Sequence, residues 1–222
     1  MLDPVAGPLR VSDMRAQGMG GARRVFVLDD EEGILSAVGR TLRRAGYAVS
    51  TFSSPRAFLD EAKLDPPCCV VLDVHMPEIN GVEIQERLAS LEQPPSIVFM
   101  SGASDIGTSV RAMKAGAIDF LAKPFETREL LEAVDVAIRR AEERLAERTE
   151  AAKAQALLSR LTPREREVAD LVARGLRSKE IAEELGAAVK TVNIHRSRVM
   201  AKLGAATVVE LVRLLQRSGQ PD

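Results

Sequence analysis

The chain has 222 residues, of which 45 % are hydrophobic, so it is long enough for two buried cores of ordinary size. No apolar run approaches the roughly 20 residues that cross a bilayer, the N-terminus lacks an apolar signal core, and the only two cysteines are adjacent, which argues against membrane, secreted and disulfide-scaffold classes and leads us to expect a cytoplasmic protein with reduced thiols. The net charge of −1 hides an asymmetry: residues 23–125 hold eleven basic and fourteen acidic side chains, 126–155 six and eight, and 156–222 twelve and eight, so the last segment alone is positive and is the candidate for a polyanionic partner.

Residues 1–22 are rich in Gly, Pro and small side chains, with Met14 and Met19 among them, and read as a disordered extension or as a lead before a later start. Arg24 to Leu28 is a short apolar run that ends in Asp29, Asp30, Glu31 and Glu32. From Ile34 to Leu42 the apolar residues Ile34, Leu35, Val38 and Leu42 recur at helical spacing, and Gly46 stops the pattern. Tyr47 to Phe52 reads as a second strand, and Ser54 with Pro55 as a helix entry.

Cys68 to Val71 lacks polar alternation, as a strand covered on both faces does in a parallel sheet. Its two thiols point to opposite faces and cannot bridge. This run ends in Asp73, which is expected to leave the buried strand where the strand stops. Pro77 and Gly81 shape the loop that follows. Gly81 to Leu91 reads as a helix, Ser96 to Met100 as a strand delivering Ser101 and Gly102, Asp105 to Ala115 as a helix stopped by Gly116, and Ile118 to Ala122 as a strand delivering Lys123 before Pro124. Five strands alternating with helices predict a doubly wound α/β domain over residues 23–126.

Residues 127–158 read as the last helix of that domain running on into a linker. From Glu129 to Leu158 there is no Gly or Pro, and the apolar stripe Val134, Ile138, Ala141 and Leu145 thins beyond Arg148, which predicts a solvated, charge-rich second half. Residues 159–219 read as a small all-α domain of four helices. Thr162, Pro163 and Glu165 form a capping box at the first, which ends at Gly175. Ser178 is expected to cap a short helix closed by Gly186. Val189 to Leu203 is the third, stopped by Gly204, and Thr207 with Glu210 opens the fourth with a second capping box.

In a parallel sheet the chemistry collects beyond the carboxyl ends of the strands. Those ends deliver Asp29, Asp30, Asp73, Ser101 and Lys123. Three crowded carboxylates call for a divalent cation, and an all-oxygen site that keeps some waters suits Mg²⁺. Asp73, flanked by donors, can then act as a nucleophile toward a phosphoryl group and become an acyl phosphate, with Lys123 and the Ser101 hydroxyl on its oxygens.

Residues 23 to about 140 resemble the receiver domain of bacterial two-component response regulators in four separated elements: the acidic pair at 29 and 30, LDVHMPEING around Asp73, MSG around Ser101 and DFLAKPF around Lys123. The resemblance implies a flavodoxin-like sheet order 2-1-3-4-5 and a phosphoacceptor at Asp73. It implies Mg²⁺ on Asp30, Asp73 and the backbone carbonyl of His75, with Asp29 helping through water. It also implies a switch in which Ser101 moves toward the phosphoryl group and Phe120 turns inward. The His75 side chain is expected to tune dephosphorylation from the rim, and Ala103 to leave room beside Ser101. A phosphoaspartyl phosphatase would carry another Asp two residues after the nucleophile, where His75 stands, and no substrate-cap segment exists.

On a wheel of the third helix of the C-terminal domain, Val192, Val199 and Leu203 fall on one face and Lys190, Ile194, Ser197 and Ala201 on the other, with Asn193 and Arg198 at its edges. An exposed Ile194 suits a thymine methyl in a major groove, Asn193 can pair with adenine, and Lys190 with guanine or phosphate. Lys179, Thr191, Arg196, Arg198 and Lys202 are placed for phosphates. Here LTPREREV, GLRSKEIAEELG, KTVNIHRSRVMAKLG and VELVRL resemble the helix-turn-helix of LuxR/NarL-type transcription factors, and the whole chain resembles a FixJ-type regulator. Ala187 and Ala188 stand where that family often has a Ser or Thr cap. The apolar fourth helix is used in the family for dimer contacts. The resemblance implies a sensor histidine kinase as donor, a double-stranded DNA operator, a homodimer on phosphorylation and no enzyme activity beyond the receiver's own phosphoryl transfer and dephosphorylation. A phosphorylation-independent DNA-binding or scaffold protein, with the receiver as an interaction module, is the alternative.

Overall fold

The computed structural model describes residues 23–102 and 106–219, with side chains omitted for 106–108. The expectations for residues 1–22, for Ala103 beside Ser101 and for a helix start at Asp105 lie outside the described residues. The chain divides into two compact units, one ending at Leu145 and the other beginning at Ala146.

The first unit is a parallel sheet of β1 (Arg24–Leu28), β2 (Ala48–Phe52), β3 (Cys68–Asp73), β4 (Ser96–Gly102) and β5 (Asp119–Lys123), in the order β2-β1-β3-β4-β5. Each strand is followed by a helix: α1 (Glu32–Arg44), α2 (Pro55–Glu61), α3 (Gly81–Ala89), α4 (Ile106–Lys114) and α5 (Thr127–Leu158). Successive residues of the central strands feed opposite faces, so two cores form. Val25, Val27, Cys69, Val71, Val98 and Met100 pack under α1 and α5. Phe26, Leu28, Cys68, Val70, Leu72 and Phe99 pack under α2, α3 and α4. Cys68 and Cys69 therefore lie in different cores, both as free thiols.

Local signals set the helix ends. Ser54 Oγ accepts from the Ala57 N–H at 3.4 Å with Pro55 in the first turn, and Asn80 Oδ1 accepts from the Glu83 N–H at 2.9 Å. Gly46 and Gly116 end α1 and α4 with φ of 96° and 93°, backbone that a β-carbon disfavours.

Several strand boundaries differ from the sequence expectation, and those at the carboxyl ends of β3, β4 and β5 bear on the site. β3 includes Asp73, which pairs with Met100 and stays 4 % exposed, so the acid does not emerge where the apolar run ends. β4 runs on through Ser101 and Gly102 because β5 runs on beside it, with Ser101 opposite Ala122 and Gly102 opposite Lys123. β2 starts at Ala48, with Tyr47 buried just before it.

The second unit takes the end of α5 and then α6 (Pro163–Ala173), α7 (Ser178–Glu184), α8 (Val189–Leu203) and α9 (Val208–Ser218). The second half of α5 is largely solvated, as expected, but it has a buried edge: Ala154 and Leu158 are 1 % and 4 % exposed, and Leu158 joins Val168, Leu171, Ile181, Val199 and Leu211 in one core. The charged face of those turns hid a short apolar edge. α6 has the complete capping box, with Thr162 Oγ1 accepting from the Glu165 N–H at 3.3 Å and Glu165 Oε2 from the Thr162 N–H at 2.8 Å. Ser178 proves to be the first residue of α7 and not its cap, because Glu180 reaches back to the Arg177 N–H at 2.6 Å and does the capping. At α9, Thr207 caps Glu210, but the Glu210 carboxylate accepts from Ala206, one residue beyond a capping box.

Candidate functional site

The carboxyl ends of β1, β3 and β5 meet at one ammonium group. Lys123 Nζ lies 2.7 Å from Asp29 Oδ2 and 2.7 Å from Asp73 Oδ1, with Glu31 Oε1 at 3.9 Å. The other oxygens of both acids are held by backbone: Asp29 Oδ1 accepts from the Glu31 N–H at 2.9 Å, and Asp73 Oδ2 from the His75 N–H at 2.8 Å. Asp29 is fully buried, whereas Asp30 next to it is exposed. The expected crowd of three carboxylates is thus two acids on a lysine with the third at the rim. Among the described residues no three His, Cys, Asp or Glu side chains are grouped as metal ligands.

This arrangement sets the electrostatics. Burial pushes the Asp73 carboxyl above its ordinary range, while Lys123 and the His75 N–H pull it back without cancelling the effect. Burial pulls Lys123 down, but its hydrogen bonds to Asp29 and Asp73 outweigh that and hold the ammonium above its ordinary value. The pair is therefore a carboxylate that burial disfavours as an anion beside a cation that stays charged.

Ser101 is fully buried at the end of β4, in register beside Ala122. Phe120 is half-buried, its ring centroid 6.3 Å from that of Phe99. His75 is exposed and borders a groove of about 360 Å³ between the β3–α3 loop and α4, with Asn80, Glu83 and Arg111 on its walls. Gly81, expected to shape the loop and open the helix, also lets the first turn of α3 press on β3. A Cβ there would run into the Asp73 carbonyl oxygen, with Phe99 and Val74 atoms at 3.1 Å.

In the second unit α8 buries Val192, Val199 and Leu203. Lys190, Thr191, Asn193, Ser197 and Arg198 are exposed, as is Lys179 on α7, and Ile194 keeps 45 % of its surface in solvent. Arg196 is half-buried, reaching the Leu176 carbonyl at 3.5 Å, and with Arg177, Ser178 and Asn193 it borders a cleft of about 520 Å³ that no acid lines. Lys202 stands apart from this set. Its ammonium donates to Glu165 Oε2 at 2.6 Å and to the Arg160 carbonyl at 3.3 Å. α8 starts at Ala188 without a side-chain cap. No helix among the described residues is long and apolar enough to cross a membrane.

Comparison with known proteins agrees with both halves. Residues 25–135 match the response regulator receiver domain family, and residues 159–215 match the bacterial regulatory proteins of the luxR family. Nodulation protein W of Bradyrhizobium diazoefficiens is 40 % identical over 195 residues, covering 88 % of this chain and 86 % of that protein. The transcriptional regulatory protein FixJ of the same organism is 37 % identical over 195 residues, covering 88 % and 95 %. The response regulator StyR, solved at low resolution, superposes with a TM-score of 0.77 at 40 % identity, covering 89 % of this chain and all of that one. With a receiver joined to a LuxR-family DNA-binding domain, the chain belongs to the FixJ-type response regulators, phosphorylation-controlled transcription factors of two-component systems.

Proposed function

We propose that Asp73 is the residue a sensor histidine kinase phosphorylates, and that its modification drives dimerisation and sequence-specific binding of an operator. The observation that carries this is the bridge of Lys123 between Asp29 and Asp73 at 2.7 Å on each side, which holds one carboxylate oxygen of a buried acid against a cation at the mouth of the sheet. In the transfer, an Asp73 oxygen attacks the phosphorus of a phosphohistidine. The new O–P bond forms as the N–P bond breaks, and the imidazole nitrogen keeps the electron pair and takes a proton. Lys123 stays charged throughout and is placed to hold a phosphoryl oxygen when the acyl phosphate has formed. Ser101 and Phe120 then answer to the new charge, the hydroxyl by moving toward it and the half-buried ring by turning further inward.

The donor set fits Mg²⁺. Asp30 at the rim, Asp73 and the His75 backbone carbonyl are hard oxygen donors, and this ion takes one or two carboxylates and keeps several waters, so no cluster of three side chains is needed. Asp29, fully buried behind the exposed Asp30, is suited to act through water. When bound, the ion neutralises charge between carboxylates and phosphoryl oxygens.

On α8, Ile194, Asn193, Lys190 and Ser197 are assigned to the base-facing side, while Thr191, Arg198 and Arg196, with Lys179 on α7, are assigned to phosphates. Val208 and Val209, 41 % and 60 % exposed, are the dimer contact on α9. Two half-sites would then be read by two copies.

The test uses the full chain with Mg²⁺ and acetyl phosphate or beryllofluoride. Wild type should gain one phosphoryl mass with acetyl phosphate, and with either reagent shift to a dimer on gel filtration and bind duplex DNA more tightly. Asp73→Asn should do none of these. An Asp73→Asn chain that dimerises and binds like activated wild type would establish the phosphorylation-independent alternative.

A further inference from the structure

Two consecutive residues in the first turn of α6 tie down the recognition helix α8, Glu165 at its last turn and Arg164 at the end of α7, from which the chain turns into it. Arg164 Nη2 donates to the Leu185 carbonyl at 2.8 Å and so fixes the chain just before α8 begins. Glu165, 3 % exposed, accepts from Lys202 in the last turn of α8 at 2.6 Å, through the same oxygen that caps the Thr162 N–H at 2.8 Å. Lys202 also donates to the Arg160 carbonyl at 3.3 Å, so the seam between α5 and α6 and the end of α8 share one ammonium.

We propose that Arg164 and Glu165 form a clamp that sets the orientation of the recognition helix, and that Lys202 is a positioning residue for base reading and not a phosphate ligand. This rests on the DNA-reading function above. α8 has no side-chain cap at its start, so its first turn lacks the local anchor a Ser or Thr there would give. Lys202 sits where a cation favours the negative end of the helix dipole. To reach a phosphate it would have to leave Glu165, stranding a covered carboxylate. The helix is also closed by Gly204 in the left-handed region, φ 64°, two residues beyond Lys202, so the ammonium holds the last turn before the chain leaves the helix.

The two roles separate on full-length protein activated with beryllofluoride and Mg²⁺, titrated over a range of salt. The probes are a random-sequence duplex and a duplex that wild type recovers from a random pool. For Lys202→Met the preference for the recovered duplex should fall by about tenfold, the scale of one lost base contact. The salt slope on the random duplex should stay at the wild-type value, and Lys202→Arg should restore most of the preference. Glu165→Gln should lose preference too, although the Lys202 charge remains and is freer to meet phosphate. The clamp is overturned if Lys202→Met lowers the slope by about 1 with equal losses on both duplexes, as loss of a phosphate contact does. It is also overturned if Glu165→Gln keeps the full preference, a readout that survives should Lys202→Met not fold. A wild-type chain that recovers no preferred duplex sinks the DNA-reading function itself, and the clamp with it.

Discussion

At Gly81 the hydrogen that replaces a side chain decides how near α3 can come to β3. Gly81→Ala drives a methyl carbon into the Asp73 carbonyl oxygen, backed by Phe99 and Val74. We expect a loss of roughly 1–3 kcal/mol in urea unfolding, the usual cost of overpacking, with slower phosphorylation by acetyl phosphate because the acceptor loop is displaced. Glu165 gives a pH signature in the other unit. Lys202 and the Thr162 N–H hold its carboxyl down at about 2, and because it lies near the surface of a small unit, burial offsets this only partly. A pKa held below the unfolded value of 4.5 gives stability that is complete above that value and is lost as pH falls toward 2. The thermal midpoint of the helical unit should therefore drop across that window in wild type and much less in Glu165→Gln.

Among the elements, α8 is the one whose start the sequence leaves unsupported. Ala188 has the extended backbone of an N-cap, φ −73° and ψ 142°, and no side chain to serve it. Ala188→Ser should raise the stability of the helical unit by about 0.5–1 kcal/mol, read as a few degrees in its melting midpoint. The strands were legible as apolar runs, but their ends were not. Asp73, Ser101 and Lys123 are strand residues because neighbouring strands carry the ladder past the last apolar side chain. The end of α5 shows the same limit. Its apolar stripe is thin, yet Leu158, with Leu157 beside it, is enough to seat it in the second core.

For the molecule as a whole, charge is divided along the chain in a way the total of −1 does not show. The basic last segment should make binding to random duplex DNA fall steeply with salt, whereas the preference for a recovered duplex should change far less. Measured dissociation constants on both duplexes at several salt concentrations check this. The sequence by itself determined the α/β order, the helix caps at Ser54 and Thr162, the inward face of α8 and the set of chemical groups at the strand ends, because these follow from periodicity, cap chemistry and the geometry of parallel sheets. Only the tertiary structure decided what those groups do to one another. It seated Lys123 between Asp29 and Asp73, left Asp30 at the rim, and turned Lys202 from the DNA-facing set to Glu165, 37 residues earlier in the chain. Such pairings join residues far apart in sequence, and no local pattern records which of several lysines will find the buried acid.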